Sequence, residues 1–170
     1  MVDANPVLYV IVRTDMPSME NGKAQAHSGH AVSAFERDCI IEPLRFGNDG
    51  YESVDPLVRQ WYEMTKQGFG TQINLKVPWE DVIDIVQNIT TESQSSFVRA
   101  KLVIDPEYPF IIPNKEILDL IDKSFHATEP RLFMSGAYGC TRKEYTAAYI
   151  FCDKNNNNVV DLLKAYPLHP

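Results

Sequence analysis

A lysine and two histidines near the start of the chain have the spacing of a site on one face of a helix. Lys23, His27 and His30 lie at positions i, i+4 and i+7 of an Ala-rich segment, predicted to be helical over residues 22–40. An apolar, β-branched run precedes it and predicts a strand over residues 7–14. Open α/β sheets bind ligands where helix starts lie beside strand ends. An ammonium group and two imidazoles there would suit an anionic ligand or acid–base chemistry.

Polar residues alternate along two further predicted strands. The shared faces are Gln72, Asn74 and Lys76 in the strand 71–77, and Phe97, Arg99, Lys101, Val103 and Asp105 in the strand 97–104. If the strands are parallel and adjacent, Arg13, Lys76 and Asp105 gather at one sheet edge together with Lys23 and His27. The alternative is a half-exposed sheet whose Lys and Arg side chains are simply solvated.

The elements alternate along the chain in the manner of an α/β protein. Further helices are predicted over residues 54–67, 78–89, 114–125 and 159–165, a fourth strand over 145–152, and irregular stretches over 42–55 and 126–144. This order predicts a three-layer α/β/α fold with a mixed or mostly parallel sheet of about four strands. At 170 residues the chain is expected to form a single domain, residues 1–170.

Composition narrows the class of protein. The net charge of −7 argues against non-specific nucleic-acid binding but leaves room for a local basic groove. No apolar stretch approaches the roughly 20 residues of a membrane span, and the first residues lack the features of a secretory signal. Cys39, Cys140 and Cys152 have neither disulfide-framework nor zinc-knuckle spacing, which favours a reducing, cytoplasmic setting.

Several motifs together resemble the type II peptidyl-tRNA hydrolase family, the archaeal and eukaryotic kind. The segments that carry this resemblance are the strand end Val12-Arg13-Thr14-Asp15, the helix start over residues 22–31, Trp61, the turn and strand over residues 70–77, the segment 105–113 and the last strand over residues 146–151. The helix start, Gly22-Lys23-Ala24-Gln25 followed by Ser28-Gly29-His30-Ala31, is the most specific of them. The resemblance extends over most of the chain at low identity.

The resemblance implies hydrolysis of the ester that joins a peptide to the 3′ ribose of tRNA, without a metal or another cofactor. Such a reaction needs a positioned water or base, a cation for the developing oxyanion, and contacts to the terminal nucleotides. By this resemblance Asp105, or alternatively His27, orients the water and Lys23 faces the oxyanion or the terminal phosphate. Arg13 and Lys76 hold the phosphate or ribose region, and His30 lies one turn further along the helix.

The chain departs from the family pattern at several positions. His27 and Gly29 replace a glutamine and a serine of the family, and Pro109 replaces a threonine whose hydroxyl belongs to the family's site. Tyr108 is expected to supply a substrate-binding hydroxyl instead. An insertion at about residues 114–144 expands the connection to the last strand.

Two other classes of function remain open from the sequence. One is a non-catalytic member of the same fold that binds tRNA, a nucleotide or a protein, and the other is a small-molecule ester or amide hydrolase. His27 and His30 have the spacing of a metal-binding pair, but a third ligand has no recognisable spacing, so no metal site is assigned. The sequence is compatible with a monomer or a homodimer.

Overall fold

The computed structural model describes residues 3–13, 24–66, 70–91, 97–103 and 147–168. Within these ranges the elements are β1 (Pro6–Arg13), α1 (Ala24–Glu36), a π-helical segment (Arg37–Ile41), α2 (Glu42–Phe46), a 3-10 turn (Gly50–Ser53), α3 (Pro56–Lys66), β2 (Gln72–Val77), α4 (Trp79–Thr91), β3 (Arg99–Val103), β4 (Ala147–Asp153) and α5 (Asn157–Leu163). The predicted helix over 114–125, the irregular stretch over 126–144 and the predicted insertion at 114–144 lie outside the described residues.

The four strands form one mixed sheet in the order β2-β1-β4-β3. β1 pairs in parallel with β2, and β4 pairs antiparallel with both β1 and β3. Three strands therefore run in the same direction and end at one edge, at Arg13, Val77 and Val103, which we name the carboxyl edge. The predicted three-layer α/β/α fold is confirmed, since helices lie on both faces of the sheet.

The three strands that end at the carboxyl edge are parallel, as predicted, but they are not all adjacent in the sheet. β3 is not next to β1, because β4 lies between them and pairs with each. Residues 147–152 of β4 are buried on both faces of the sheet, and such a strand is stable only between two others. β2 and β3, which carry the polar residues, are left at the outside of the sheet.

An aromatic cluster joins α1 and α3 to one face of the sheet. The ring of Phe35 stacks on Phe151 at 4.9 Å between ring centroids and contacts the edges of Trp61 and Tyr149. Leu8, like Phe151, is fully buried on this face. The apolar first strand of the sequence is thus explained, because alternate residues of β1 pack against the helices on opposite faces.

The opposite face is covered by α4 and α5. Val82 and Val86 of α4 and Leu163 of α5 are buried against Ile11 and Ile150 of the sheet. Their spacing gives each helix one apolar stripe, which is the pattern that predicted these helices from the sequence. α5 begins and ends two residues earlier than predicted.

The prediction of an irregular stretch over residues 42–55 is wrong at two places. Residues 42–46 form α2, which continues the first helix through the π segment, and residues 50–53 form a 3-10 turn. The backbone N–H of Glu42 donates to the carbonyl of Arg37, five residues back. Pro43 follows in the first turn of α2, where a missing N–H costs little. The proline therefore does not end the helix as its usual behaviour predicted.

A short piece of chain after α5 lies along the outer side of β2. Leu168 forms an antiparallel bridge with Leu75, and the N–H of Lys76 donates to the carbonyl of Pro167 at 3.0 Å. The hydroxyl of Tyr166 donates to a carboxylate oxygen of Asp81 at 3.2 Å. These contacts satisfy an outward-facing N–H and hold the end of β2 that carries Lys76.

Candidate site at the carboxyl edge

Four residues form a row across the sheet just inside the carboxyl edge. Val12 pairs with Lys76 on one side and with Ala147 on the other, and Ala147 pairs with Val103. Partners in register share a face of the sheet, and this face is the one that α1 and α3 cover. At a strand spacing of about 4.8 Å the row from Lys76 to Val103 spans about 14 Å.

Two of the predicted cations stand in or next to this row. Lys76 is half-buried, and Arg13 is the last residue of β1. Arg13 pairs with Val77, whereas Lys76 pairs with Val12, so positions 13 and 76 belong to opposite faces of the sheet. The register brings residues 63 positions apart in sequence to the same end of the sheet.

The direction of α1 places its beginning towards the carboxyl edge. Phe35, near the end of α1, stacks on Phe151, which pairs with Leu8 near the start of β1 and with Arg99 at the start of β3. The end of α1 therefore lies over the opposite edge of the sheet, and the helix runs antiparallel to β1. His27 and His30 belong to its first two turns, and His30 is half-buried.

Three predicted site residues lie outside the described residues. They are Lys23, Asp105 and Tyr108. Ala24, which follows Lys23 in the chain, begins α1, and Val103, two positions before Asp105, ends β3. The structure thus describes residues within two positions of Lys23 and of Asp105. The predicted roles of Lys23, Asp105 and Tyr108 stay predictions.

The predicted alternation of polar and apolar residues is confirmed in both outer strands. In β3, Ala100 and Leu102 are buried on the α4 face, whereas Arg99 and Lys101 are half-buried on the α1 face. In β2, Asn74 and Lys76 have intermediate exposure on the α1 face, whereas the alternate position Leu75 is buried on the α4 face. The α1 face therefore carries polar residues on both sides of the central pair of strands.

A buried polar cluster lies under the π-helical segment that follows α1, and no motif in the sequence predicted it. The hydroxyl of Tyr149 donates to Oδ2 of Asp38 at 2.6 Å, and both side chains are buried. Arg99 lies close enough to Tyr149 and Asp38 to interact electrostatically with both. A carboxylate among the apolar residues Cys39 and Ile40 was the only signal in the sequence, because its partners are far away in the chain.

The pKa values in this cluster follow from burial and neighbouring charge. Burial raises the pKa of Tyr149 well above its usual range, and the nearby Asp38 raises it further. Burial acts to lower the pKa of Arg99, but the acidic groups of Tyr149, Cys39 and Asp38 outweigh it, so that this pKa is raised. Tyr149 thus stays a hydrogen-bond donor and Arg99 stays a cation throughout the ordinary pH range.

The thiols of Cys39 and Cys152 are expected to resist alkylation in the folded protein. Burial raises the pKa of each from its ordinary 9.0 to about 12, and Arg99 opposes the shift only for Cys39. At pH 8 such a thiol is thiolate about a thousandfold less often than a free one. In a Cys140→Ser background, iodoacetamide should modify neither residue before urea unfolding and both residues after it, as read by mass spectrometry.

The same shifts predict the direction of the alkaline stability change. A group whose pKa is raised by folding keeps its proton longer in the folded state than in the unfolded state. Its contribution to stability is therefore complete below pH 9 and is lost as the pH rises towards 12. Urea titrations at pH 8 and pH 10 should show a lower free energy of unfolding at the higher pH, and an increase would contradict the assignment.

The described part of the chain contains neither metal-binding clusters nor membrane-spanning helices. Among them, His, Cys, Asp and Glu side chains nowhere gather in groups of three or more that could bind a metal ion. None of the helices in the described part of the chain is long and apolar enough to cross a membrane.

The carboxyl edge thus combines the ends of three parallel strands, two cationic positions and the beginning of a helix with two histidines. Such an arrangement can hold an anionic group and place proton donors and acceptors beside it. A scan against models of protein families gave no match for this chain, and a search of curated proteins gave none either.

Proposed function

We propose that the chain hydrolyses peptidyl-tRNA at the carboxyl edge. The observation that supports this is the common direction of β1, β2 and β3, whose ends meet below the beginning of α1. The reaction needs cations and a water-orienting group at one place, although these residues are far apart in the sequence. The register favours such a place, because Lys76 near the end of β2 and Arg13 at the end of β1 lie on neighbouring strands, and the end of β3 lies about 10 Å from β1.

The proposed reaction is attack of water on the ester carbonyl carbon. Asp105, or His27 in the alternative, orients the water and accepts its proton, and the ammonium group of Lys23 stabilises the oxyanion. The bond between the carbonyl carbon and the 3′ oxygen of the ribose then breaks. The products are a tRNA with a free 3′ hydroxyl, which receives the proton taken from the water, and a peptide whose new carboxyl group releases its proton to the solvent and becomes a carboxylate.

The charge distribution supports a local contact to the tRNA end. The chain carries a net charge of −7, so long stretches of phosphate backbone are repelled by most of its surface. Lys76 and Arg13 are two cationic residues at the ends of neighbouring strands of the carboxyl edge. Phosphate binding there would attract only the terminal nucleotides, where the reactive ester lies.

The direct test is incubation of the purified protein with a peptidyl-tRNA that carries a labelled peptide. A hydrolase releases free peptide and deacylated tRNA with turnover. Retention of intact peptidyl-tRNA without release would contradict catalysis and would favour a binding protein. An absence of both release and binding would contradict tRNA as the substrate.

Lys76→Met is expected to raise KM for peptidyl-tRNA about tenfold and to leave kcat nearly unchanged. Lys76 is assigned to phosphate binding, which contributes equally to the ground state and the transition state. The measurement is steady-state hydrolysis at two salt concentrations, and the KM of the variant should depend less steeply on salt.

Lys154→Met is the matched control for this prediction. Lys154 is exposed and follows β4 at the edge opposite the carboxyl edge, because Asp153 pairs with Pro6 at the start of β1. The control removes the same charge from the other end of the sheet. Equal effects of the two substitutions would mean that only the net charge matters and would contradict the assignment of Lys76.

A further inference from the structure

Large apolar side chains are exposed together around the short helix α2. Phe46 has 74% of its surface exposed and Ile41 has 53%, and Leu44, Tyr51 and Tyr62 are also exposed. We name these five residues the α2 patch. They lie within 22 consecutive positions, which include the end of the π segment, α2, the 3-10 turn and the middle of α3. Scattered apolar residues are normal on protein surfaces, but such a cluster indicates an interaction site.

The backbone under the α2 patch is held in one arrangement. The N–H of Asp49 donates to Oγ of Ser53 at 3.0 Å, and Gly47 lies so close to Ser53 that a Cβ at this position would overlap the Ser53 side chain. Gly50 has a φ of +60°, which glycine adopts without strain. The turn is therefore preformed, and a partner that binds the patch would lose little entropy in ordering it.

The two arginines of the patch region both contact groups of the protein itself. The guanidinium of Arg45 lies 5.4 Å from the centre of the Phe46 ring, and that of Arg59 lies 5.8 Å from the centre of the Tyr51 ring. Arg59 also forms an ion pair with Glu52 at 2.9 Å. These cations are already directed to rings and a carboxylate on the protein itself.

The rim of the patch is acidic. Residues 41–66 contain five acidic and three basic side chains. Among the acidic residues Asp49 and Glu63 are exposed, Glu42 is half-buried, and the exposed Glu52 is already paired with Arg59. Glu63 also accepts a hydrogen bond from the hydroxyl of Tyr51 at 2.9 Å, so that a carboxylate adjoins an exposed ring. The apolar centre and the negative rim together determine which partner fits.

Charge distinguishes between the classes of partner. A second copy of this chain would bring one acidic rim against another, and each copy carries a net charge of −7. RNA would bring phosphates against the same carboxylates, so stacking on Phe46 or Tyr51 would be opposed by repulsion. A protein segment with one apolar face and flanking Lys or Arg residues is attracted by both parts of the surface.

We infer that the α2 patch binds a basic amphipathic helix of another protein. The site lies away from the proposed hydrolytic site, because α2 continues α1 in the direction that leads from the carboxyl edge. Phe46 and Leu44 supply the apolar anchors, and the acidic rim pairs with the cations of the partner. Binding here is independent of whether the carboxyl edge hydrolyses peptidyl-tRNA.

The test uses two synthetic peptides of roughly five helical turns, one built of Leu and Lys and the other of Leu and Glu in the same amphipathic pattern. The protein labelled with ¹⁵N is titrated with each peptide, and amide shifts are followed over α2 and the 3-10 turn. The Leu/Lys peptide should shift these amides, and the Leu/Glu peptide should not.

Two variants separate the patch from the general acidity of the chain. The double variant Leu44→Ser/Phe46→Ser keeps every charge and alters exposed side chains only, so it should fold, and its affinity for the Leu/Lys peptide should fall about tenfold or more. Leu162→Ser, an exposed leucine of α5, is the matched control and should bind like the wild type.

Four results would overturn the inference. The first is that the double variant binds the Leu/Lys peptide as tightly as the wild type does, and the second is that the wild type binds the Leu/Glu peptide as tightly as the Leu/Lys peptide. The third is that the wild type forms a dimer that the double variant does not form. The fourth is that the wild type binds single-stranded RNA and the double variant does not. The third would identify a second copy as the occupant, and the fourth would identify RNA. Sedimentation velocity and fluorescence anisotropy measure these last two.

Discussion

Lys23→Ala is expected to lower kcat/KM for peptidyl-tRNA hydrolysis about 100-fold to 1000-fold. The proposed role of the ammonium group is to stabilise negative charge that develops on the ester carbonyl oxygen in the transition state, and removal of one such donor has an effect of this size. Since the charge appears only in the transition state, the loss should fall on kcat more than on KM. Initial rates of peptide release measure it.

Further variants separate chemistry from folding in this prediction. Lys23→Arg keeps the cation and should recover part of the rate, whereas Lys66→Ala, at the end of α3, removes an exposed lysine and should leave the rate unchanged. Asp105→Asn should cause a comparable loss, and the double variant Lys23→Ala/Asp105→Asn should lose less than the product of the two effects. A fully active Lys23→Ala enzyme would contradict the role of Lys23.

Tyr149→Phe is expected to lower the free energy of unfolding by about 2 kcal/mol. The hydroxyl of Tyr149 donates to Asp38 at 2.6 Å inside the core, and hydrogen bonds to a charged group contribute about 1.5–3 kcal/mol. The substitution removes the donor and leaves the buried carboxylate with one partner fewer, while the ring still packs on Phe35 at 5.5 Å. Urea denaturation followed by circular dichroism measures the change.

Tyr51→Phe is the matched control for Tyr149→Phe. Tyr51 also donates its hydroxyl to a carboxylate, that of Glu63, at 2.9 Å, but on the surface, where water replaces the lost bond. Its effect should be within about 0.5 kcal/mol. Equal effects of the two substitutions would mean that burial does not strengthen the bond between Tyr149 and Asp38.

The Asp38–Tyr149 contact also bears on the proposed hydrolytic site. It ties the helix just past Glu36 to the middle of β4, and Phe35 packs on the same strand one turn earlier. These contacts fix the direction in which α1 crosses the sheet. Tyr149→Phe should therefore reduce stability without a large loss of kcat at temperatures well below unfolding, since the apolar contacts of Phe35 remain.

Local patterns in the sequence predicted the four strands, the helices α1, α3, α4 and α5, and the class of fold. Alternation in β2 and β3 predicted which residues share a face, and the apolar, β-branched run near the start of the chain predicted β1 as a strand. These patterns are readable because side chains repeat every two residues in a strand and every 3.6 residues in a helix. The prediction of an irregular stretch failed over residues 42–46, where Pro43 lies in the first turn of α2 and its missing N–H costs little.

Only the tertiary structure decided which elements lie side by side. No local pattern in the sequence of β4 predicts that it lies between β1 and β3. Likewise, Asp38 and Tyr149 are 111 positions apart in the chain and meet only in the folded protein. Long-range pairing depends on how all elements together bury apolar area and satisfy backbone groups, so it leaves no short signature in the sequence. The sequence therefore predicted Lys76 and Arg13 as site residues, and the register of the sheet brings both to the carboxyl edge.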